Sequence, residues 1–289
     1  MKAMVQPGPA AGQTPFGVTP LSDALGAEII GSDLRDPRSQ PVFDAIRDTW
    51  HAHGVLLLRG QVLDEPSQAA CGARFGELGK VLNNHNGRSY SPGVMYISNV
   101  RENGELVGAL PDGEMFFHSD QCYVERPGMA TMLYAMEVPR RGGNTLFANM
   151  YTAYETLPDH IRARIEGKLA LNVYDYNNNA TKRGSEPREG IPSFAHPIVR
   201  THPATGRKAL YANRLMTHHI DGMDRAESDA LLAEIFDHQE QPAFIYEHVW
   251  TPGDLLIWDN RCMLHARSDF DASERRMMRR VAILGDKPF

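Results

Sequence analysis

The sequence predicts a mainly β protein with flanking helices, a sandwich or barrel whose helices pack outside the sheets; a two-sheet jelly roll is one such architecture. Three observations lead there. Most apolar residues fall in short runs bounded by Gly, Pro, Asn or Asp, the pattern of buried strands. Only four stretches carry helical periodicity. Strands and helices do not alternate in the way a doubly wound sheet requires. Of 289 residues, 42% are apolar and 23% charged, enough apolar side chain for a sizeable core. No repeat and no linker interrupts the chain after residue 15, so residues 15–289 are expected to form one domain behind a flexible tail rich in Pro, Gly, Ala and Gln over residues 1–14.

The first helix is expected over Pro41 to His53, where Val42, Ile46 and Trp50 share one face. Gly54 to Gly60, with the run Val-Leu-Leu-Leu, reads as a buried strand bounded by glycines. Glu65 to Leu78 is a second helix, and Val94 to Val100 a strand. Further strands are expected at Met129 to Glu137, Asn144 to Asn149, Leu169 to Tyr176, Pro197 to Thr201, Lys208 to Asn213, Phe244 to Trp250, Asp254 to Trp258 and Met277 to Gly285. The helical stretch Tyr151 to Gly167 is broken by Pro158, which lacks an N–H and clashes with the preceding turn. Asp224 to Gln239 is the fourth helix: Asp224 and Glu227 form a capping box ahead of the stripe Leu231, Leu232, Ile235 and Phe236. The polar, Gly-containing segment from Tyr174 to Gly190 is a lid candidate.

Charge and composition exclude several classes. Acidic residues number 36 against 30 basic ones, a net charge of −6, with none of the clustered basic excess of a nucleic-acid protein. No apolar run reaches 18 residues and Met1 to Gly17 has no apolar signal core, so a cytoplasmic protein without membrane partners is expected. Cys71, Cys122 and Cys262 are far apart and form no CxxC pair, which removes a disulfide framework and a cysteine-rich zinc site.

The first chemical signal is Phe116-Phe-His-Ser-Asp120. On a strand, residues i and i+2 face the same way, so His118 and Asp120 would point inward together. One imidazole and one carboxylate are two ligands of a facial triad, and a second His would complete a non-heme Fe(II) site with open positions. His265, following the strand that ends at Trp258, is the best-placed third ligand; His196, His202, His218 and His219 compete with it. A second signal comes from Arg276-Met-Met-Arg-Arg-Val-Ala-Ile-Leu284, in which Arg276 and Arg280 share one face of an otherwise apolar strand. Buried arginines keep their charge and require anions, either protein carboxylates or bound acids. Four residues separate the two Cα atoms by roughly 13 Å, which favours two distinct anions.

Together these segments resemble the taurine/aryloxyalkanoate dioxygenase family of Fe(II)- and 2-oxoglutarate-dependent oxygenases. The resemblance runs from Leu25–Gly31 to Leu284–Pro288 and rests on ordered motifs: His118-Ser-Asp120; Gly142-Gly-Asn-Thr145; His196 to Pro203 followed by Thr205 to Asn213; Trp258-Asp-Asn-Arg261 with His265; and Arg276 and Arg280, 11 and 15 residues beyond that His. It implies a double-stranded β-helix, the jelly-roll variant of the family. By position, His118, Asp120 and His265 would hold Fe(II) and form the catalytic centre. Thr145 and Arg276 would bind the distal carboxylate of 2-oxoglutarate, and Arg280 would reach an acidic group of the substrate.

Asn83 and His85, in the loop Val81 to Gly87, are substrate-side candidates by the same resemblance. The segment Glu114-Met-Phe-Phe117 departs from the family's polar residues before the HxD motif and points away from taurine as the substrate. The implied reaction consumes O2 and 2-oxoglutarate, releases succinate and CO2, and hydroxylates a small anionic organic molecule (a sulfonate, a sulfate ester, an aryloxy acid, or an amino or other carboxylic acid). Where the hydroxylated carbon carries a heteroatom, bond cleavage follows. Relatives of this kind form dimers or tetramers, so a homo-oligomer is expected. Two other readings use the same two His and one Asp: a zinc hydrolase with an activated water, and a cupin-like protein that binds a small acid without turnover. The hydrolase does not explain Thr145, Arg276 and Arg280.

Overall fold

A strand that is apolar at every position must be buried on both faces, and the centre of the molecule is built from two such strands. In the computed structural model, which describes residues 15–35, 39–79, 93–108, 114–174 and 189–289, Val55 and Leu57 enter one core cluster while Leu56 and Leu58 enter another. Leu256 and Trp258 join the first, and Leu255 and Ile257 the second. Each such side chain withdrawn from water contributes about 1.5–3 kcal/mol.

In chain order, β1 (Gly17–Pro20) and β2 (Ala27–Ile30) lead to α1 (Gln40–His53), β3 (Val55–Leu58), α2 (Glu65–Phe75) and β4 (Val94–Ser98). The hairpin of β5 (Arg101–Glu102) and β6 (Glu105–Leu106) precedes β7 (Met115–His118), β8 (Gly128–Glu137) and β9 (Thr145–Asn149). Then come α3 (Met150–Glu155), α4 (Asp159–Ile165), β10 (Leu169–Val173), β11 (Ser193–Pro197), β12 (Val199–Thr201), β13 (Lys208–Leu210) and β14 (Thr217–Ile220). The chain closes with α5 (Arg225–Gln239), β15 (Ile245–His248), β16 (Leu255–Asp259), β17 (Met263–Arg267) and β18 (Met277–Leu284).

Two sheets form the frame. The larger has seven strands in the order β1-β2-β3-β16-β8-β18-β4, and the smaller has four in the order β15-β9-β17-β7. Their inner faces meet in one apolar cluster, where Phe147 of β9 packs edge-on against Trp258 of β16 with ring centroids 5.3 Å apart. Ile46 and Trp50 of α1 and Ala69 and Cys71 of α2 cover the outer face of the larger sheet. This is the jelly-roll sandwich with external helices that the sequence predicts.

The helices obey their local signals. Pro41 opens α1, and Gly54, at φ 72°, caps it with its N–H on Trp50 O. Asp224 caps α5 by accepting from the N–H groups of Ala226 and Glu227. The stretch expected as one broken helix forms α3 and α4, separated at residues 156–158. Helix α2 ends at Phe75 rather than Leu78, because β18 lies against its end: a Cβ on Gly76 would lie 3.0 Å from Ile283, and Leu78 instead bridges to Ile283. The strand expected over Pro197 to Thr201 is β12, which starts only at Val199; Ile198, whose N–H turns to Lys168 O, separates it from β11, a strand that ends at Pro197. Strands β1, β2, β5, β6, β11, β14 and β17 are not expected from the sequence. The tail 1–14 and most of the lid candidate, 175–188, lie outside the described residues.

Candidate active site

The two sheets converge on one group of ligand-type side chains. Strands β17 and β7 pair so that His265 lies directly across from His118, and their ring centroids are 4.1 Å apart. Asp120 sits beyond the end of β7, so strand alternation does not bring it to His118. The chain turns after His118, with Gln121 at φ 58°, and this turn returns the carboxylate to the imidazoles. One ligand atom from each of His118, Asp120 and His265 lies within 4.8 Å of the others.

The protonation states suit a divalent metal, whose ligands must be deprotonated. Burial pushes both imidazoles down, His265 further because His118 adds to the effect, so both are neutral at pH 7. His118 donates its Nδ1–H to Phe116 O at 2.9 Å, which leaves the Nε2 lone pair available. His265 Nδ1 is buried without a hydrogen-bond partner among the described residues, and its Nε2 faces Asp120 Oδ1 at 4.0 Å. Burial alone would raise the Asp120 carboxyl; Arg280, then His265 and His118, and the Thr131 hydroxyl outweigh it and hold the group well below the usual carboxylate range. Two neutral imidazoles and one carboxylate, converging at a partly open site, fit a non-heme Fe(II) centre.

Beside this group lies a buried cationic pocket. Arg276 precedes β18, is 2% exposed, and donates from Nε to Gly143 O at 3.3 Å. It has no carboxylate partner among the described residues. Burial, and then Arg267, push its guanidinium down to about 9, so it remains cationic at neutral pH. Arg267 lies two residues beyond His265 on β17 and pairs across the sheet with Thr145. Thr145 is buried and accepts a hydrogen bond from Trp250 Nε1 at 3.0 Å. Two glycines let the loop before Thr145 close on Arg276. Gly142 has φ 72° and bridges to Phe270, and a Cβ there would lie 2.2 Å from Asp269 O. Arg267 was missed in the sequence because β17 was missed; its signal is the i+2 offset from His265.

Arg280 projects to the His118, Asp120 and His265 group, and the partner it finds is a protein carboxylate. In this structure its Nη2 pairs with Asp120 Oδ2 at 2.9 Å. Arg279, on the opposite face, is held by Gln68 Oε1 at 2.7 Å and Leu63 O. The competing histidines lie elsewhere: His196 holds Val124 O, and His218 contacts His219. Asn83 and His85 lie outside the described residues. Near Asp120 and Arg280, Tyr123 packs on Tyr174 with ring centroids 4.6 Å apart, and burial foremost raises its phenol.

A second set of donor atoms, on His202, Asp259 and Cys262, is a structural strut. His202 Nδ1 accepts from the N–H groups of Ala204 and Thr205, so the ring proton is on Nε2 and goes to Asp259 at 3.0 Å. Arg261 takes the same carboxylate in two bonds of 2.8 and 2.6 Å. Both ring nitrogens are committed, and burial raises the Cys262 thiol well above its ordinary value, which leaves no free donor for a metal.

A jelly-roll sandwich holding a two-His, one-Asp group beside buried arginines defines the class of non-heme iron oxygenases that use an organic acid as co-substrate. The sequence profile of the taurine catabolism dioxygenase TauD, TfdA family matches residues 17–282. The chain is 34% identical over 282 residues to an alpha-ketoglutarate-dependent 2,4-dichlorophenoxyacetate dioxygenase of Cupriavidus pinatubonensis, covering 92% of this chain and 97% of that one. It is 32% identical over 288 residues to an (S)-phenoxypropionate/alpha-ketoglutarate-dioxygenase of Sphingobium herbicidovorans, covering 94% and 96%. Among solved structures it resembles AAD-2 in complex with Mn(II) and N-oxalylglycine, with a TM-score of 0.79, 28% identity, and coverage of 94% and 98%. The chain belongs to the TauD/TfdA family. It is a 2-oxoglutarate-dependent non-heme iron dioxygenase that uses Fe(II), 2-oxoglutarate and O2.

Proposed function

We propose that His118, Asp120 and His265 hold Fe(II), that Arg276 and Thr145 bind the distal carboxylate of 2-oxoglutarate, and that Arg280 receives the acid group of a small organic substrate. The observation that carries this reading is the meeting of three deprotonated ligand side chains within 4.8 Å of one another, beside a buried guanidinium that has no carboxylate partner among the described residues. Bound Fe(II), with 2-oxoglutarate and O2, supplies the oxidising power that turns 2-oxoglutarate into succinate and CO2 and hydroxylates a substrate carbon.

The protein's own groups bind, orient and exclude water. Arg276 offers a planar fork suited to a carboxylate, in a site dry enough for the contact to count, and the Thr145 hydroxyl adds a second polar contact to it. Asp120 turns one oxygen to His265 while Thr131 and Arg280 occupy the other. A substrate acid group draws Arg280 partly away from Asp120 and is thereby held beside the metal. The Tyr123–Tyr174 pair, with Met115 and Phe116 nearby, supports an acid with an apolar or aromatic body. The substrates named for the aryloxyalkanoate relatives, 2,4-dichlorophenoxyacetate and (S)-phenoxypropionate, have that form.

The test of the metal assignment is His265→Ala. We expect it to abolish acid-stimulated succinate formation and to weaken Mn(II) binding, measured by electron paramagnetic resonance, by at least about 100-fold. Full activity in that variant would contradict the assignment.

A further inference from the structure

We propose that Thr131, aimed by Asn260 and Trp258, is a positioning residue that fixes the Asp120 carboxylate with Oδ1 turned toward the metal. The inference rests on the metal-site reading above. Thr131 lies on β8 with no exposure, flanked by Ala130 and Met132, and is paired across the sheet with Trp258. An alcohol in such surroundings is costly unless it is hydrogen-bonded, and valine has nearly the same shape without that cost. Its hydroxyl donates to Asp120 Oδ2 and accepts from Asn260 Nδ2 at 3.1 Å. Asn260 Oδ1 in turn accepts from Trp258 Nε1 at 2.9 Å.

The direction of this chain is forced. An indole N–H can only donate and an ionised carboxylate can only accept. With Trp258 as the donor end, the Asn260 oxygen must face it, the Asn260 amide must donate to Thr131, and the Thr131 proton is left for Asp120. Arg280 supplies the second donor to Oδ2, so that oxygen is saturated and Oδ1 remains facing His265. The same residues steady the other parts of the site. The Asn260 backbone carbonyl accepts from Ser119 Oγ at 3.0 Å, tying down the residue between His118 and Asp120. The Trp258 ring lies 4.7 Å from the His265 ring, centroid to centroid. One buried unit of three side chains therefore sets the angle at which Asp120 meets the two imidazoles.

The experiment is Mn(II) titration of the whole protein by electron paramagnetic resonance, with the thermal midpoint of the metal-free protein measured alongside. Thr131→Val is expected to weaken Mn(II) binding by about 10- to 100-fold while leaving the metal-free midpoint near that of wild type. Thr131→Ser keeps the proton donor and is expected to stay within about threefold of wild type. Trp258→Phe removes the indole N–H together with part of the ring, frees the Asn260 amide to turn over, and is expected to weaken Mn(II) binding by about threefold or more, with its own metal-free midpoint measured beside it. Wild-type affinity in Thr131→Val or in Trp258→Phe, or a serine variant as weak as the valine one, would overturn the proposal. If the valine protein does not fold, the serine and phenylalanine variants decide alone. A His265→Ala protein that binds Mn(II) as tightly as wild type would instead overturn the metal-site reading, and the relay with it.

Discussion

Arg276 and Arg267 bring two guanidinium groups into one dry corner of the sandwich, and on the proposed reading the anion that Arg276 lacks among the described residues is the distal carboxylate of 2-oxoglutarate. A desolvated arginine–carboxylate contact contributes about 1.5–3 kcal/mol, or about 10- to 150-fold in affinity. Replacing Arg276 by Ala is therefore expected to raise the 2-oxoglutarate concentration needed for half-maximal rate by that factor, with the Fe(II) requirement nearly unchanged. Steady-state kinetics in each co-substrate checks this, and an unaltered 2-oxoglutarate requirement would refute the role. Arg280 differs in kind. Its partner is already present in Asp120 Oδ2 at 2.9 Å, so on the proposed reading a substrate acid would share the guanidinium with a metal ligand.

At the scale of elements, the site depends on the turn from β16 to β17. Asp259, fully buried, gathers the His202 imidazole, the Arg261 guanidinium and the Arg261 N–H, and this knot sets the position of β17, which carries His265. Breaking a buried pair leaves an uncompensated charge, so Asp259→Ala is expected to cost about 3–5 kcal/mol, read from the midpoint of urea unfolding. A loss below about 1 kcal/mol would mean that Arg261 finds another partner.

The same turn marks where the sequence could be read and where it could not. Leu255 to Trp258 is apolar throughout, and Met277 to Leu284 nearly so; both announced buried strands. Met263 to Arg267 mixes a His and an Arg with apolar residues, since it carries one member of the candidate ligand group, and its strand is invisible to periodicity. Spacing alone did not choose His265 over the other histidines; the family resemblance did, and the pairing of β17 with β7 brings it opposite His118. The HxD motif was found for a reason that only partly holds. The strand ends at His118, and a turn, which has no periodic signature, supplies the Asp. The relay from Trp258 to Thr131 was unreadable because it joins residues 127 positions apart through adjacent strands.

Over the whole molecule, two packed sheets and their outer helices form a rigid frame, and the reactive side chains stand on strands or tight turns between them. Among the described residues, no helix is long and apolar enough to cross a membrane. The sandwich excludes water from the arginine corner while Asp120 and His265 keep side-chain exposures of 14% and 12%, an opening for a small molecule. On the proposed reading, the frame separates a dry anchor for the co-substrate acid from a wetter mouth where Arg280 and the Tyr123–Tyr174 pair would meet the second acid. The most direct measurement is succinate formed from 2-oxoglutarate by the purified protein under O2, with and without Fe(II), across a panel of aryloxy, alkyl, sulfonic and sulfate-ester acids, each beside an uncharged analogue. The account predicts Fe(II)-dependent succinate release that at least one free acid stimulates and its amide or neutral ester does not, with the stimulation lost in Arg280→Leu. Succinate release that is independent of iron, or equal stimulation by the acid and its uncharged analogue, would contradict it.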